Sequence, residues 1–281
     1  MGGQVAFILW RESIEALLVI GILSSWLTAR QAGRRARLFL WGGVAAGLAV
    51  ALGFAAMVLG FSSLLSGGLR SALMTGMVFL AAGLIIQMVA WMRRHGRTLK
   101  REMEGGLDAA AADGRWGAVF LLSMTAVARE GSETVVFLYG TLAAAGHSTL
   151  PGLLAAMAAG LAAAAATYAL LRLGSRFMPW RRFFQLSEIM LLLLGAALFT
   201  TGVSDLVSMG VLPFGAPIWD LGMLLDDNSR IGSVAAALTG YRSAPDAMIL
   251  AAWIVYWGAV AVALRWQGRA SSLARTAPRN G

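Results

Sequence analysis

Two short segments put ionisable side chains where the surrounding sequence has almost none. They are Arg11-Glu12-Ser13-Ile14-Glu15 and Arg129-Glu130-Gly131-Ser132-Glu133. On a helix, glutamates three positions apart stand about 60° apart and open onto one face. The arginine four positions before the second glutamate can pair with it along the same side. Each motif thus offers two carboxylates and one guanidinium, and two such helices side by side present four carboxylates against two arginines. Carboxylate oxygens suit hard or borderline cations such as Mg²⁺, Ca²⁺, Mn²⁺ and iron, not Cu⁺, which prefers sulfur. A simple ionic brace between helices needs one carboxylate per arginine. The second glutamate of each motif is surplus to that need, and surplus carboxylates facing a bundle interior are what a cation pathway requires.

The elements that carry these motifs are apolar. Of 281 residues, 58% are hydrophobic and 13% charged, against about 45–50% and about 25% in soluble domains. A water-soluble globule cannot bury so large an apolar share. Seven stretches are long enough to cross about 30 Å of hydrocarbon: 5–29, 39–61, 71–92, 117–140, 151–171, 185–207 and 246–264. The expected fold is an all-α polytopic membrane protein with seven transmembrane helices forming a single domain over residues 1–265. A disordered cytoplasmic tail is expected over 266–281. At mid-membrane each ionised group costs roughly 2.5–3.5 kcal/mol on insertion scales, and six of them on the order of 15 kcal/mol before pairing and hydration. Such residues are retained for a reason.

Orientation follows from the 23 lysines and arginines. They crowd into 30–37, 93–115, 172–182 and 265–279, whereas only Arg70, Arg230 and Arg242 fall in the alternate loops. The positive-inside rule puts the rich side in the cytoplasm, the N-terminus outside and the C-terminus inside. Arg11 and Arg129 are left within spans. Their motifs lie 118 positions apart on spans that run in opposite directions. That is the signature of an inverted 3+3 repeat, 5–92 and 117–207, with the seventh helix outside it and the substrate site near the midplane. Trp26, Trp41, Trp91, Trp116 and Trp266 are expected near the inner interface and Trp10 near the outer one.

Several function classes are excluded. There is no cysteine, hence no disulfide, zinc ribbon, iron–sulfur cluster or thiol catalysis. The net charge of +9 comes from short loops between apolar runs, which reads as topology signalling and not nucleic-acid binding. A retinal protein needs a lysine in its last span, and Lys100, in a cytoplasmic loop, is the only lysine. A membrane protease is excluded by the absence of H-E-x-x-H, of a membrane histidine for Ser132 and of a matched aspartate pair.

Lesser candidates remain. Glu188, early in span 6, either lines an inner exit or is an ordinary helix-end carboxylate. Gln87 is expected to make an interhelical hydrogen bond. Asp205, Asp220, Asp226 and Asp227 are placed to gather cations at the outer mouth. Tyr139, Ser132 and Thr134 are candidates for support around the carboxylates. His95 and His147 fall in loops on opposite sides and form no common site. The loop 93–116 is expected to be partly helical. The outer segment 208–245 is expected to be compact, packing Leu212, Phe214, Ile218, Trp219, Leu221 and Leu224.

At these residues the chain resembles the oxidase-dependent iron permease family, fungal high-affinity and bacterial EfeU-type alike. The family is similar in its seven spans, its outside N-terminus and its R-E-x-x-E motif in spans 1 and 4. Trp91-Met92-Arg93-Arg94-His95, Trp219-Asp220 and the stretch Gly240-Tyr241 through Pro245 also look like family segments. Ser13 departs from the usual glycine, while Gly131 keeps it. The resemblance implies iron import across a bacterial cytoplasmic membrane, with Glu12, Glu15, Glu130 and Glu133 handling the ion and Arg11 and Arg129 supporting them. Iron is then cargo and no cofactor is expected. Extracytoplasmic iron-delivery or oxidase/peroxidase partners and a homo-oligomer are compatible with it. A permease of the same architecture for Mn²⁺ or Mg²⁺ is the alternative.

Overall fold

The computed structural model describes residues 2–95, 116–145, 149–173, 180–227 and 229–276. Among them the regular structure is helical: α1 Gly2–Ala29, α2 Arg34–Leu64, α3 Gly67–His95, α4 Gly117–Ala145, α5 Leu150–Leu173, α6 Trp180–Ser208, α7 Arg230–Thr239 and α8 Ala247–Thr276. Each expected apolar stretch falls, to within a residue, inside one long helix. Five of them, α2, α3, α5, α6 and α8, are long and apolar enough to cross a membrane. The remaining two long helices, α1 and α4, have 28 and 29 residues, about 42 Å at 1.5 Å per residue. They differ from the others in carrying the R-E-x-x-E charges.

Local chemistry sets the helix ends. α1 closes through Gln31, whose φ of 51° is left-handed. Ala32 N donates to Leu27 O and Gln31 N to Thr28 O, the Schellman pattern usually built on glycine. α6 closes the same way through Gly210 (φ 74°), with Gly210 N to Val207 O and Val211 N to Leu206 O. Two sequence expectations shift. The C-terminal tail does not begin at 266, because α8 continues to Thr276. The expected helical content of the loop 93–116 lies almost wholly outside the described residues, as does His147.

The chain divides into two compact units. The first, residues 1–74 and 97–184, contains α1, α2, α4 and α5; α2 packs along α4, α1 along α5, and α1 also meets α4. Glycine permits both close crossings. A Cβ on Gly47 would stand 2.7 Å from the Met124 carbonyl oxygen and 2.8 Å from Val127 Cβ. On Gly160 it would stand 2.5 Å from the Ala6 carbonyl oxygen and 3.0 Å from Leu9 Cβ. Ala6 and Leu9 precede Met124 and Val127 by 118 positions, the spacing of the motifs. Each motif helix is therefore gripped at the same turn, immediately before its arginine. We expect Gly47→Ala and Gly160→Ala each to destabilise by about 1–3 kcal/mol through overpacking. Gly53→Ala, with nothing within 4 Å of the new methyl, should be neutral or slightly stabilising. Thermal unfolding in detergent reads the difference.

Leu23, Trp26, Leu27, Ala36, Leu40 and Val119 form a buried cluster in this unit. Trp26 is thus a core residue, with the Arg30 guanidinium 5.1 Å from its ring. Trp41 and Trp266 are exposed, as interfacial residues are. Trp10 donates to Thr167 Oγ1 at 3.1 Å and packs beside Ile14 and Ala164.

The second unit, residues 75–96 and 185–281, contains most of α3 and α6 with α7 and α8. Val78, Ala81, Ala82, Ile85, Leu191, Leu194 and Leu198 are buried. Tyr256 donates its hydroxyl to the Leu192 carbonyl at 2.8 Å and packs its ring, tilted, against Phe199. The segment between α6 and α8 is ordered and holds the short helix α7, capped by Ser229 Oγ accepting from Gly232 N. Its apolar residues do not pack as expected. Phe214 and Leu224 are almost fully exposed, and Ile218, Trp219 and Leu221 are about half exposed. The segment satisfies its backbone with paired loops and one ten-residue helix, and these leave those side chains without a core to enter.

Candidate metal site

The first unit brings the two motifs together. Helix period places Glu12 and Glu15 on one face of α1, and Glu130 and Glu133 on one face of α4. Carboxylate oxygens of Glu12, Glu130 and Glu133 lie within 4.8 Å of one another. That spread lets one cation touch all three after small rotations, since carboxylate–metal distances are about 2.0–2.6 Å. Glu12 and Glu130 are buried, and Oε2 of Glu12, Glu130 and Glu133 has no hydrogen-bond partner. A buried anionic oxygen without a donor costs free energy unless something answers it. Three converging carboxylates fit the donor set of a hard or borderline cation.

The arginines divide unequally. Arg11, 1% exposed, bridges its own motif: Nη1 lies 2.6 Å from Glu12 Oε1 and Nη2 2.5 Å from Glu15 Oε1. The i,i+4 pairing was legible in the spacing; the bond to the adjacent Glu12 was not. Glu15, so held, is not one of the three converging carboxylates. Arg129 has a side chain 41% exposed and donates Nε to Glu133 Oε1 at 2.9 Å. Glu133 is thus both paired with a guanidinium and one of the converging trio, while Glu130 Oε2 has no hydrogen-bond partner.

Close packing holds the site. A Cβ on Gly131 would stand 2.5 Å from Ala51 Cβ, so the small residue in the second motif lets α4 lie against α2. Ser132 and Thr134 give their hydroxyls to the backbone carbonyls of Arg129 and Glu130, at 2.9 and 2.8 Å. They tie down the helix and do not support the carboxylates. Tyr139 has a buried hydroxyl with no hydrogen-bond partner.

The other sequence candidates lie in the second unit. Glu188 is buried and bonded to Arg93, Nε and Nη2 both reaching Oε1. It braces α6 to α3. Gln87 is exposed, and among the described residues it has no interhelical hydrogen bond. Asp220 Oδ1 accepts from Gly222 N at 2.7 Å. Asp227 accepts from Ser243 Oγ at 2.8 Å and lies 3.9 Å from Arg242. The Asp226 carbonyl accepts from Ser229 Oγ, and Asp205 sits in the last turn of α6, its carbonyl accepting from Ser208 Oγ. Sequence reasoning missed Gly47 and Gly160. Their signal was faint, because glycine and alanine are common throughout these helices.

Comparison with known proteins gives a consistent result. Residues 3–271 match the family described as "Iron permease FTR1 family". The chain is 30% identical over 257 residues to the "Ferrous iron permease EfeU" of Escherichia coli O6:H1, covering 89% of this chain and 90% of that one. It is 34% identical over 227 residues to the "Iron permease EfeU" of Bacillus subtilis, covering 77% of this chain and 45% of the relative. With the "Ferrous iron permease EfeU" of Yersinia pestis it shares 28% over 263 residues, 89% of this chain and 88% of that one. No solved structure gave a significant match.

Proposed function

The chain belongs to the iron permease FTR1 family, and from that premise we propose how its own residues carry the ion. It is a multi-pass membrane transporter and not an enzyme, and iron is its cargo. In our reading all seven long helices cross a bacterial cytoplasmic membrane, with the N-terminus outside. The lengths of α1 and α4 support this, since only their motif charges set them apart. The matching glycine contacts at Ala6–Leu9 and Met124–Val127 support an inverted repeat. In such repeats the substrate sits near the midplane, where the halves meet.

The observation that carries the site assignment is the convergence of Glu12, Glu130 and Glu133. An ion arriving from outside sheds part of its water and takes these three carboxylates in exchange. Its charge supplies what the three orphaned oxygens lack. To bind, it competes with Arg129 for Glu133, and the arginine's return on release keeps the emptied site from holding bare negative charge. Arg11 pairs with Glu12 and Glu15 while the ion is held by the trio. Glu15 serves by holding Arg11 in place and is a fourth carboxylate available as the repeats rearrange. The inward-negative potential favours cation transfer by about 2.3 kcal/mol per charge per 100 mV. The names of the enterobacterial relatives support Fe²⁺ as the form that arrives.

Counter-ion-driven uptake into proteoliposomes tests the reading against the alternative of a Mn²⁺ or Mg²⁺ permease. Radiolabelled Fe²⁺ should accumulate under an inside-negative potential, and excess Mg²⁺ or Mn²⁺ should leave most of that uptake intact. Uptake of Mn²⁺ or Mg²⁺ that excess Fe²⁺ fails to suppress would favour the alternative.

A further inference from the structure

Between α6 and α8 the chain turns large apolar side chains outward: Met223 is fully exposed, Phe214 86% and Leu224 83%. Single exposed apolar residues need no explanation, but several on one ordered segment do. The segment is also confined. It leaves α6 at Ser208, and Ile218 N then donates to Pro245 O and Leu221 N to Ser243 O. Those bonds hold 218–221 beside the residues that lead directly into α8 at Ala247. A tight turn follows, with Leu224 N and Leu225 N both donating to Leu221 O, and it displays Met223 and Leu224. Its far side is held by Tyr241 Oη donating to Leu225 O and by Ser243 Oγ donating to Asp227.

Neighbouring charges are largely occupied. Asp220 accepts from Gly222 N, and Asp227 is shared between Ser243 and Arg242. The helix that follows this segment exposes an apolar face of its own, Trp253, Ile254 and Val255 on α8. A chain that spans a membrane shows such faces to lipid. The exposed turn is pinned at the level where α8 begins, so it continues that lipid-facing surface at the bilayer boundary.

We propose that Phe214, Met223 and Leu224 insert into the boundary between headgroups and acyl chains, so that the segment 209–246 is seated in the membrane surface and does not stand free in water. Interfacial elements bury apolar side chains there while their polar groups stay hydrated. The proposal rests on the chain crossing a membrane and is independent of the carboxylate site.

The protein has no cysteine, so Met223→Cys and Phe214→Cys each create a single labelling site at an almost fully exposed side chain. Each variant is labelled with nitrobenzoxadiazole and reconstituted into phosphatidylcholine–phosphatidylglycerol vesicles. At both positions we expect blue-shifted emission, several-fold stronger quenching by lipids spin-labelled near the headgroup than by aqueous iodide, and no change when the protein is diluted into more lipid. Quenching by iodide as strong as for free dye, at either position, overturns the proposal and leaves the patch to a soluble partner. A blue shift that disappears on dilution also overturns it, because a second copy of the chain would then be the cover.

Discussion

Glu130→Gln is expected to lower iron uptake at least about 100-fold while leaving the protein in the membrane at near wild-type abundance. Glutamine keeps the shape of the side chain and removes its charge. Partners one shell away from a metal are commonly worth 10–100-fold, so a direct carboxylate ligand should reach at least the upper end of that range. Folding should tolerate the change. The Glu130 carboxylate is buried with one oxygen lacking any donor, so neutralising it removes a desolvated charge and breaks no hydrogen bond at that oxygen. Lost transport without lost protein separates a residue that serves the ion from one that serves the fold. Radiolabelled uptake, normalised to membrane abundance by immunoblot, makes the distinction.

Arg11→Ala should do the opposite and fail first as a folding defect. Arg11 is almost completely buried and bridges Glu12 and Glu15 at 2.6 and 2.5 Å. Its removal leaves the buried Glu12 and the half-buried Glu15 without their counter-charge, and breaking a buried ion pair typically costs about 3–5 kcal/mol. Lysine is a poor substitute, because one compact ammonium cannot span two carboxylates as the guanidinium fork does. Arg11→Ala/Glu15→Gln removes one charge of each sign and should recover a large part of the lost abundance, the signature of coupled sites. Arg129→Ala should cost less stability, since its exposed side chain is screened by water. Membrane abundance and the melting temperature of detergent-purified protein read all three.

Much of the helical architecture was legible because a long apolar run favours one long helix, and each of the seven stretches falls within one. The pairing of Arg11 with Glu15 and of Arg129 with Glu133 followed from helix period alone. The bond from Arg11 to the adjacent Glu12 did not, because adjacent residues point about 100° apart and only the reach of the guanidinium joins them. Nor could sequence reveal that two nearly identical motifs differ in exposure. That depends on which side chains of α2 and α5 cover each of them. The Arg93–Glu188 bond joins residues far apart in the chain, and no spacing rule signals such a contact. The segment between α6 and α8 misled in a different way. Apolar residues in a loop imply burial, but next to a membrane burial need not be within the protein.

Three carboxylates drawn from two helices answer to one ion in the proposed site. Anomalous scattering at the iron edge, from crystals grown with Fe²⁺ under reducing conditions, addresses that claim without recourse to transport or stability. The expected result is one strong peak about 2.0–2.6 Å from oxygens of Glu12, Glu130 and Glu133, with the Arg129 side chain withdrawn from Glu133. An iron peak elsewhere, for example beside Asp226 and Asp227, with Arg129 still bonded to Glu133 and nothing between the helices, would contradict it.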